Sequence, residues 1–198
     1  MTENFLPAPP EIAGHELAGL LARLAAAAER EGLLDVAYRT VPSPIGDLLL
    51  AATDKGLVRL AFASEGQEPV LTELAEKVSP RVLAAPKRLD PVARELDEYF
   101  TGRRTRFEVP VDLRLASGFR LAVITRLPEI DYGRTYTYAQ MAAAAGSPRA
   151  VRAVGTACAR NPVPIVLPCH RVVRSDGTYG QYRGGQEAKH TLLTMEVA

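Results

Sequence analysis

The 198-residue sequence has no tryptophan, three histidines and two cysteines, Cys158 and Cys169. Two cysteines cannot supply the disulfide framework of a small secreted module, and with three scattered histidines they lack the spacing of a four-ligand metal site. No metal site is expected. Neither sign of charge prevails, with 24 Lys+Arg against 23 Asp+Glu and a net charge of +1. Long apolar runs are missing too. The most apolar stretch, Leu17 to Ala28, is broken by Arg23 and closed by Glu29, well short of the roughly 20 residues a spanning helix needs. No signal-peptide pattern opens the chain. These absences point away from a membrane and towards a reducing compartment, the cytoplasm or, in a eukaryote, the nucleus.

What is present suffices for one domain or two small ones, since 47% of the residues are hydrophobic. Charge is unevenly spread. Residues 1–114 hold 14 basic and 18 acidic side chains, whereas residues 115–198 hold 10 basic and 5 acidic. The second part is suited to meet a polyanion, although an ordinary solvated surface explains the same excess, and charge alone favours that plainer reading.

Three segments follow from the patterning: an extension over 1–34, a scaffold over 35–114 and a functional segment over 115–198. Met1 to Pro10 is Pro-rich and reads as a flexible lead-in. A helix is expected from Pro10 to Leu34, its stripe of Leu17, Leu20, Leu21, Leu24 and Ala28 packing on the domain or, less readily, binding a partner. Runs at Ala37–Val41, Asp47–Thr53 and Leu57–Ala63, separated by turns at 42–46 and 54–56, predict a small antiparallel meander. Helices are expected at Pro69–Val78 and Pro91–Phe100, with a further strand at Phe107–Val111. This half offers no cluster of nucleophile, base and acid and reads as scaffold.

Beyond Leu115 the pattern turns helical. One helix is expected over Ala116–Leu127 and a second over Tyr138–Ala145, capped by the Thr137 hydroxyl and ended by Gly146. Ser147 and Pro148 suit the start of a third that runs to Arg160, completing a helix-turn-helix. On that third helix Val151, Val154 and Cys158 should face the core. Arg149 and Arg152 lie on another face beside the small residues Ala153 and Gly155. A small-residue face allows close approach to a partner backbone, but Ala-rich hairpins are common in proteins that never touch DNA.

The chemistry-bearing run is Pro168-Cys169-His170-Arg171-Val172. Pro168 stiffens the turn from which the thiol emerges, His170 could take its proton directly or through a water, and Arg171 and Arg174 would favour the thiolate, the reactive form. A buried thiol beside an incidental histidine is the plain alternative.

This run, preceded by Asn161-Pro162 and followed by Gly180-Gln181-Tyr182-Arg183-Gly184-Gly185, Lys189, Leu192-Leu193 and Glu196, resembles the O6-alkylguanine-DNA alkyltransferases. Upstream, Ser43-Pro44-Ile45-Gly46, Lys55-Gly56-Leu57 and Glu98 to Arg104 extend the resemblance over residues 36–197. It implies an α/β (α+β) protein, with a small N-terminal antiparallel-sheet domain followed by a helical domain carrying the helix-turn-helix.

The implied activity is irreversible, single-turnover transfer of an alkyl group from O6-alkylguanine, and less well from O4-methylthymine, in duplex DNA to Cys169. No cofactor is implied. The resemblance assigns a glutamate–histidine–water–cysteine chain to Glu196, His170 and Cys169, a hinge to Asn161, and a hydrogen bond to O6 to Tyr182. Tyr138 would crowd the phosphate beside the target, and Arg152 would fill the gap left by the flipped base, with the small-residue helix in the minor groove. Backbone groups from Pro164 and Val166 to Val172 would read the guanine edge. Arg183, where relatives tend to have a smaller residue, would narrow the alkyl pocket or touch a phosphate. Relatives also often have a tryptophan where this chain has Ile124. A monomer is expected, with the partner of the N-terminal helix unknown. Three rival functions remain at this stage: a lesion sensor that does not repair, a helix-turn-helix transcriptional regulator, and a thiol hydrolase. The sensor relatives lack the cysteine, and no oxyanion-hole motif supports the hydrolase.

Overall fold

The computed structural model describes residues 14–197. The lead-in expected over Met1–Pro10, and the first residues of the helix expected from Pro10, lie outside them. The sheet is built from β1 (Val36–Val41), β2 (Leu48–Thr53), β3 (Gly56–Phe62) and β4 (Val82–Ala84), in the order β3-β2-β1-β4. The antiparallel meander is present as expected. The fourth strand was not, and because β4 runs parallel to β1, the sheet is mixed. A three-residue strand after Pro80 is too short to show a period of two. Phe107–Val111, expected as a strand, contributes only an isolated bridge from Val111 to Leu57.

Both faces of β2 are buried along its whole length. Leu48, Leu50 and Ala52 join the main core, whereas Leu49 and Ala51 pack with Val58, Val70 and Leu74 on the other side. The second group is covered by α2 (Gln67–Lys77), and α3 (Asp90–Phe100) packs Val92, Leu96 and Tyr99 into the first. The N-terminal helix, α1 (Gly14–Arg30), departs from its expected role. Ala25 and Ala28 are buried, but Leu17, Leu20, Leu21 and Leu24 are 44–52% exposed. Small alanines let the end of this helix lie close on the domain, and the leucine stripe turns outward. No described helix is long and apolar enough to cross a membrane.

The helical part contains α4 (Gly118–Ile124), α5 (Tyr138–Ala144), α6 (Val151–Ala159) and α7 (Gly185–Val197), with a two-residue parallel pairing of β5 (Tyr136–Thr137) and β6 (Val172–Val173). Thr137 caps α5 as anticipated. Its hydroxyl accepts from Gln140 N at 3.2 Å while the Gln140 side chain accepts from Thr137 N at 2.7 Å, a reciprocal capping box. Gly146, at φ +77°, ends α5 by letting Ser147 N reach Ala142 O at 2.9 Å. The next helix starts later than expected. Ser147 accepts through its backbone carbonyl from Ala150 N in a turn, Pro148 and Arg149 lie in the connection, and Val151 opens the helix 37% exposed while Val154 and Cys158 are buried.

Thr137→Ala should remove one arm of the capping box and lower stability by about 1 kcal/mol, measured by denaturant unfolding, with the slope of the transition unchanged.

Candidate active site

Asn161 follows α6 and fixes the course of the next eight residues. Its side-chain amide donates to Leu167 O at 2.8 Å and its carbonyl oxygen accepts from Val163 N at 3.0 Å. The chain between is tightly wound, with Leu167 N on Val163 O and Cys169 N on Leu167 O. Ile165 adopts φ +73°. A β-branched residue in the left-handed region costs about 1–3 kcal/mol and persists only where the surroundings impose it. Here Ile165 is itself buried, as are Pro164 and Val166. Cys169 then opens a single turn of tight helix through Arg171.

Beneath that turn is a buried carboxylate. Glu196 Oε1 accepts from Tyr99 Oη at 2.6 Å, His170 Nε2 at 2.8 Å and Arg171 Nη2 at 2.9 Å, and Oε2 accepts from Arg171 Nε at 2.9 Å and Gly133 N at 3.3 Å. Arg171 also donates to Ile130 O at 2.6 Å and lies over the Tyr132 ring. Burial opposes the charge on Glu196, but the hydrogen bonds from His170, Arg171 and Tyr99 outweigh it and hold the carboxyl at about 2. Burial lowers the His170 pKa despite Glu196, and Arg171 supplies the permanent positive charge. The imidazole is therefore neutral, with its proton assigned to Nε2 by the carboxylate and Nδ1 left as an acceptor.

Among the described residues, His170 Nδ1 and the Tyr182 hydroxyl are buried without a hydrogen-bond partner. Both belong to the surroundings of Cys169, which is 3% exposed. Burial pushes its thiol up to about 11, against the influence of Asn161 and Lys189. This corrects the expectation of a thiol activated by Arg171 and Arg174. Arg171 is committed to Glu196, and Arg174 is exposed beyond β6. The cations that favour the Cys169 thiolate are Lys189 and Arg183, of which Lys189 is buried on α7 with its ammonium donating to Val172 O at 2.5 Å. That bond already engages the Val172 carbonyl, one of the groups expected to face guanine.

The helix-turn-helix residues divide by exposure. Arg149, Arg152 and Ala153 are exposed, Arg152 within α6 and Arg149 before it. Tyr138 is half-buried, its ring against Gly155 and Gly180: a Cβ on Gly180 would fall 2.1 Å from the hydroxyl. Arg183 is partly exposed, and its Nε pairs with Glu65 at 2.6 Å. Cys158 is buried with its pKa raised by burial, as a core thiol should be. The sequence alone assigns no role to Tyr99, Lys189, Arg59 or Glu65, because the contacts that tie them to the site, with Glu196, Val172, Pro162 and Arg183 respectively, are made to residues distant in the chain. The only signals were the places of Tyr99 and Lys189 within the matching motifs.

Residues 36–113 match the ribonuclease-like domain, and residues 118–198 the DNA binding domain, of 6-O-methylguanine DNA methyltransferase. A methylated-DNA–protein-cysteine methyltransferase of Mycolicibacterium paratuberculosis is 41% identical over 161 residues, covering 81% of this chain and 92% of its own length. The chain belongs to the 6-O-methylguanine DNA methyltransferase family. A crystal structure of the family member from Mycobacterium tuberculosis superposes with a TM-score of 0.72 at 37% identity, over 82% of this chain and 93% of that one. The same protein in complex with DNA superposes with a TM-score of 0.72 at 35% identity, over 81% and 92%. The family fold, a mixed-sheet domain followed by a helical DNA-binding domain, is the fold described above.

Replacing Glu196 by Gln should cost roughly 3–5 kcal/mol, because it leaves Arg171 buried without its carboxylate. The native carboxyl lies below its ordinary value of 4.5, so its contribution to stability is complete above about pH 4.5 and disappears as pH falls towards 2. Unfolding free energy measured across that window should fall less steeply in Glu196→Gln than in the unmodified protein.

Proposed function

We infer that this chain is a methylated-DNA–protein-cysteine methyltransferase that repairs O6-alkylguanine in duplex DNA, with Cys169 as the acceptor. The observation that carries the assignment of Cys169 is its position in a rigid buried turn beside a neutral histidine whose free Nδ1 can accept a proton. The thiol proton passes to Nδ1, directly or through a water, and the charge that develops on the imidazole is stabilised by Glu196. The sulfur electron pair then forms a bond to the alkyl carbon as the carbon–O6 bond breaks, and those electrons return to guanine. Tyr182, whose hydroxyl is buried and unpartnered, donates to O6 as it gains charge, so guanine leaves neutral once a proton is restored to its ring. The thioether has no leaving group that this site could activate, and each molecule acts once. No step needs a cofactor.

A cysteine this deeply enclosed cannot reach an atom inside the base stack, so the nucleotide must rotate out. In this reading Arg152, exposed on α6, enters the stack behind it, Tyr138 presses on the neighbouring phosphate, and Arg149, Ala153 and Gly155 lie along the groove. Asn161 holds the turn in place. O4-methylthymine, which presents an alkylated oxygen in a smaller ring, is a poorer substrate in this scheme. The machinery comes from one chain, which supports action as a monomer in a reducing, DNA-containing compartment.

Incubation with duplex DNA carrying one O6-methylguanine should add a single methyl to the peptide containing Cys169, saturating at one per protein, with none in Cys169→Ser. Failure of folded protein to gain the methyl would overturn this function. Arg152→Ala should slow transfer from duplex DNA by about tenfold or more while leaving reaction with free O6-benzylguanine within about threefold, because the free base needs no flipping.

A further inference from the structure

The segment carrying Tyr182 is fastened to the sheet domain at one polar point. Arg183 Nε pairs with Glu65 Oε2 at 2.6 Å, and among the described residues no other hydrogen bond or ion pair joins residues 180–184 to that domain. Glu65 is well anchored on its other side. Its Oε1 accepts from Phe62 N at 3.0 Å, and its Oε2 also accepts from Arg59. Arg59 is 1% exposed and reaches Pro162 O at 3.3 Å, beside the Asn161 hinge. Glu65 thus bridges one guanidinium fixed in the sheet and another carried by the loop.

An apolar contact reinforces the bridge. The Phe62 and Tyr182 rings meet edge to face with centroids 5.5 Å apart, and a Cβ on Gly184 would lie 2.6 Å from the Phe62 ring. The loop is drawn down on Phe62, and Tyr182 is left 9% exposed over a thiol that is 3% exposed. A methyl group adds little volume beneath such a cover. A benzyl group requires the cover to lift.

We propose that the Glu65–Arg183 ion pair is a positioning element that limits the size of alkyl group accepted, by holding the Tyr182 loop closed over Cys169. This rests on the transfer reaction inferred above and assigns the size limit to a contact between domains, outside the pocket walls. Loosening the pair favours bulky groups over small ones.

The test is the ratio of single-turnover rate constants for benzyl and methyl transfer from otherwise identical duplexes carrying O6-benzylguanine or O6-methylguanine. A ratio is independent of the fraction of protein that is folded, and a general loss of DNA affinity lowers both rates alike. Arg183→Ala and Glu65→Gln should each raise the benzyl-to-methyl ratio by more than about twofold, to about fivefold for a partly exposed ion pair, and Arg183→Lys should return it to within about twofold of the unmodified protein. A ratio in Arg183→Ala within about twofold of the unmodified value, whether the two rates are unchanged or fall together, overturns the proposal. Failure of the unmodified protein to take up methyl at Cys169 would instead overturn the function on which the proposal rests.

Discussion

The charge on Glu196 has to be kept inside the protein, and much of the architecture can be understood from what that requires. An unpaired carboxylate at this depth would cost several kcal/mol or take up a proton. It is kept ionised by the two-pronged grip of Arg171, by Tyr99 from the sheet domain, by His170 and by the backbone of Gly133. These donors come from three separate stretches of chain and the carboxylate from a fourth, so the charge is satisfied only when α3, the Gly133 loop, the cysteine turn and α7 are all in register. Gly133 illustrates the tightness, for a Cβ at its φ of +69° would meet Glu196 O at 2.7 Å. Fixing the carboxylate also fixes the histidine tautomer, which leaves Nδ1 as the acceptor on which proton transfer depends.

The sheet domain contributes more than support. Tyr99 reaches the carboxylate from α3, Arg59 and Leu60 N both meet the Pro162 carbonyl, and Phe62 supports the loop above the thiol. The cysteine turn is consequently held from below and from both ends. Local strain at Ile165 is maintained by these attachments, since a free segment would relax to negative φ.

Features set by near neighbours in the chain were legible in the sequence. The Thr137 cap, the Gly146 stop and the three-stranded meander depend on residues within a few positions or on short turns, and all are present as the sequence predicts. Arg171 was assigned to the wrong partner because the thiol is adjacent in sequence, whereas Glu196, 25 positions away, offers a carboxylate that can accept both arms of the guanidinium. The pairing of Arg183 with Glu65 was not legible either, because Glu65 belongs to the other domain. The leucine stripe of α1 has a helical period that any amphipathic helix would share, and the period could not reveal that alanines make the contact. Short β4 carried no pattern at all.

One consequence of the domain junction concerns the outer margin of the sheet. β3 is an edge strand, yet Leu57 N–H is bound by Pro110 O and Leu60 N–H by Pro162 O, carbonyls contributed by the last residues of the sheet domain and by the approach to the cysteine turn. An uncovered edge offers a template on which another chain can add a strand, a common beginning of aggregation. The same residues that seat the reactive turn therefore guard the sheet against self-association. A sheet domain severed from its helical partner would keep the cover at Leu57 but lose the Pro162 carbonyl, leaving the margin of β3 open at Leu60 to strand addition.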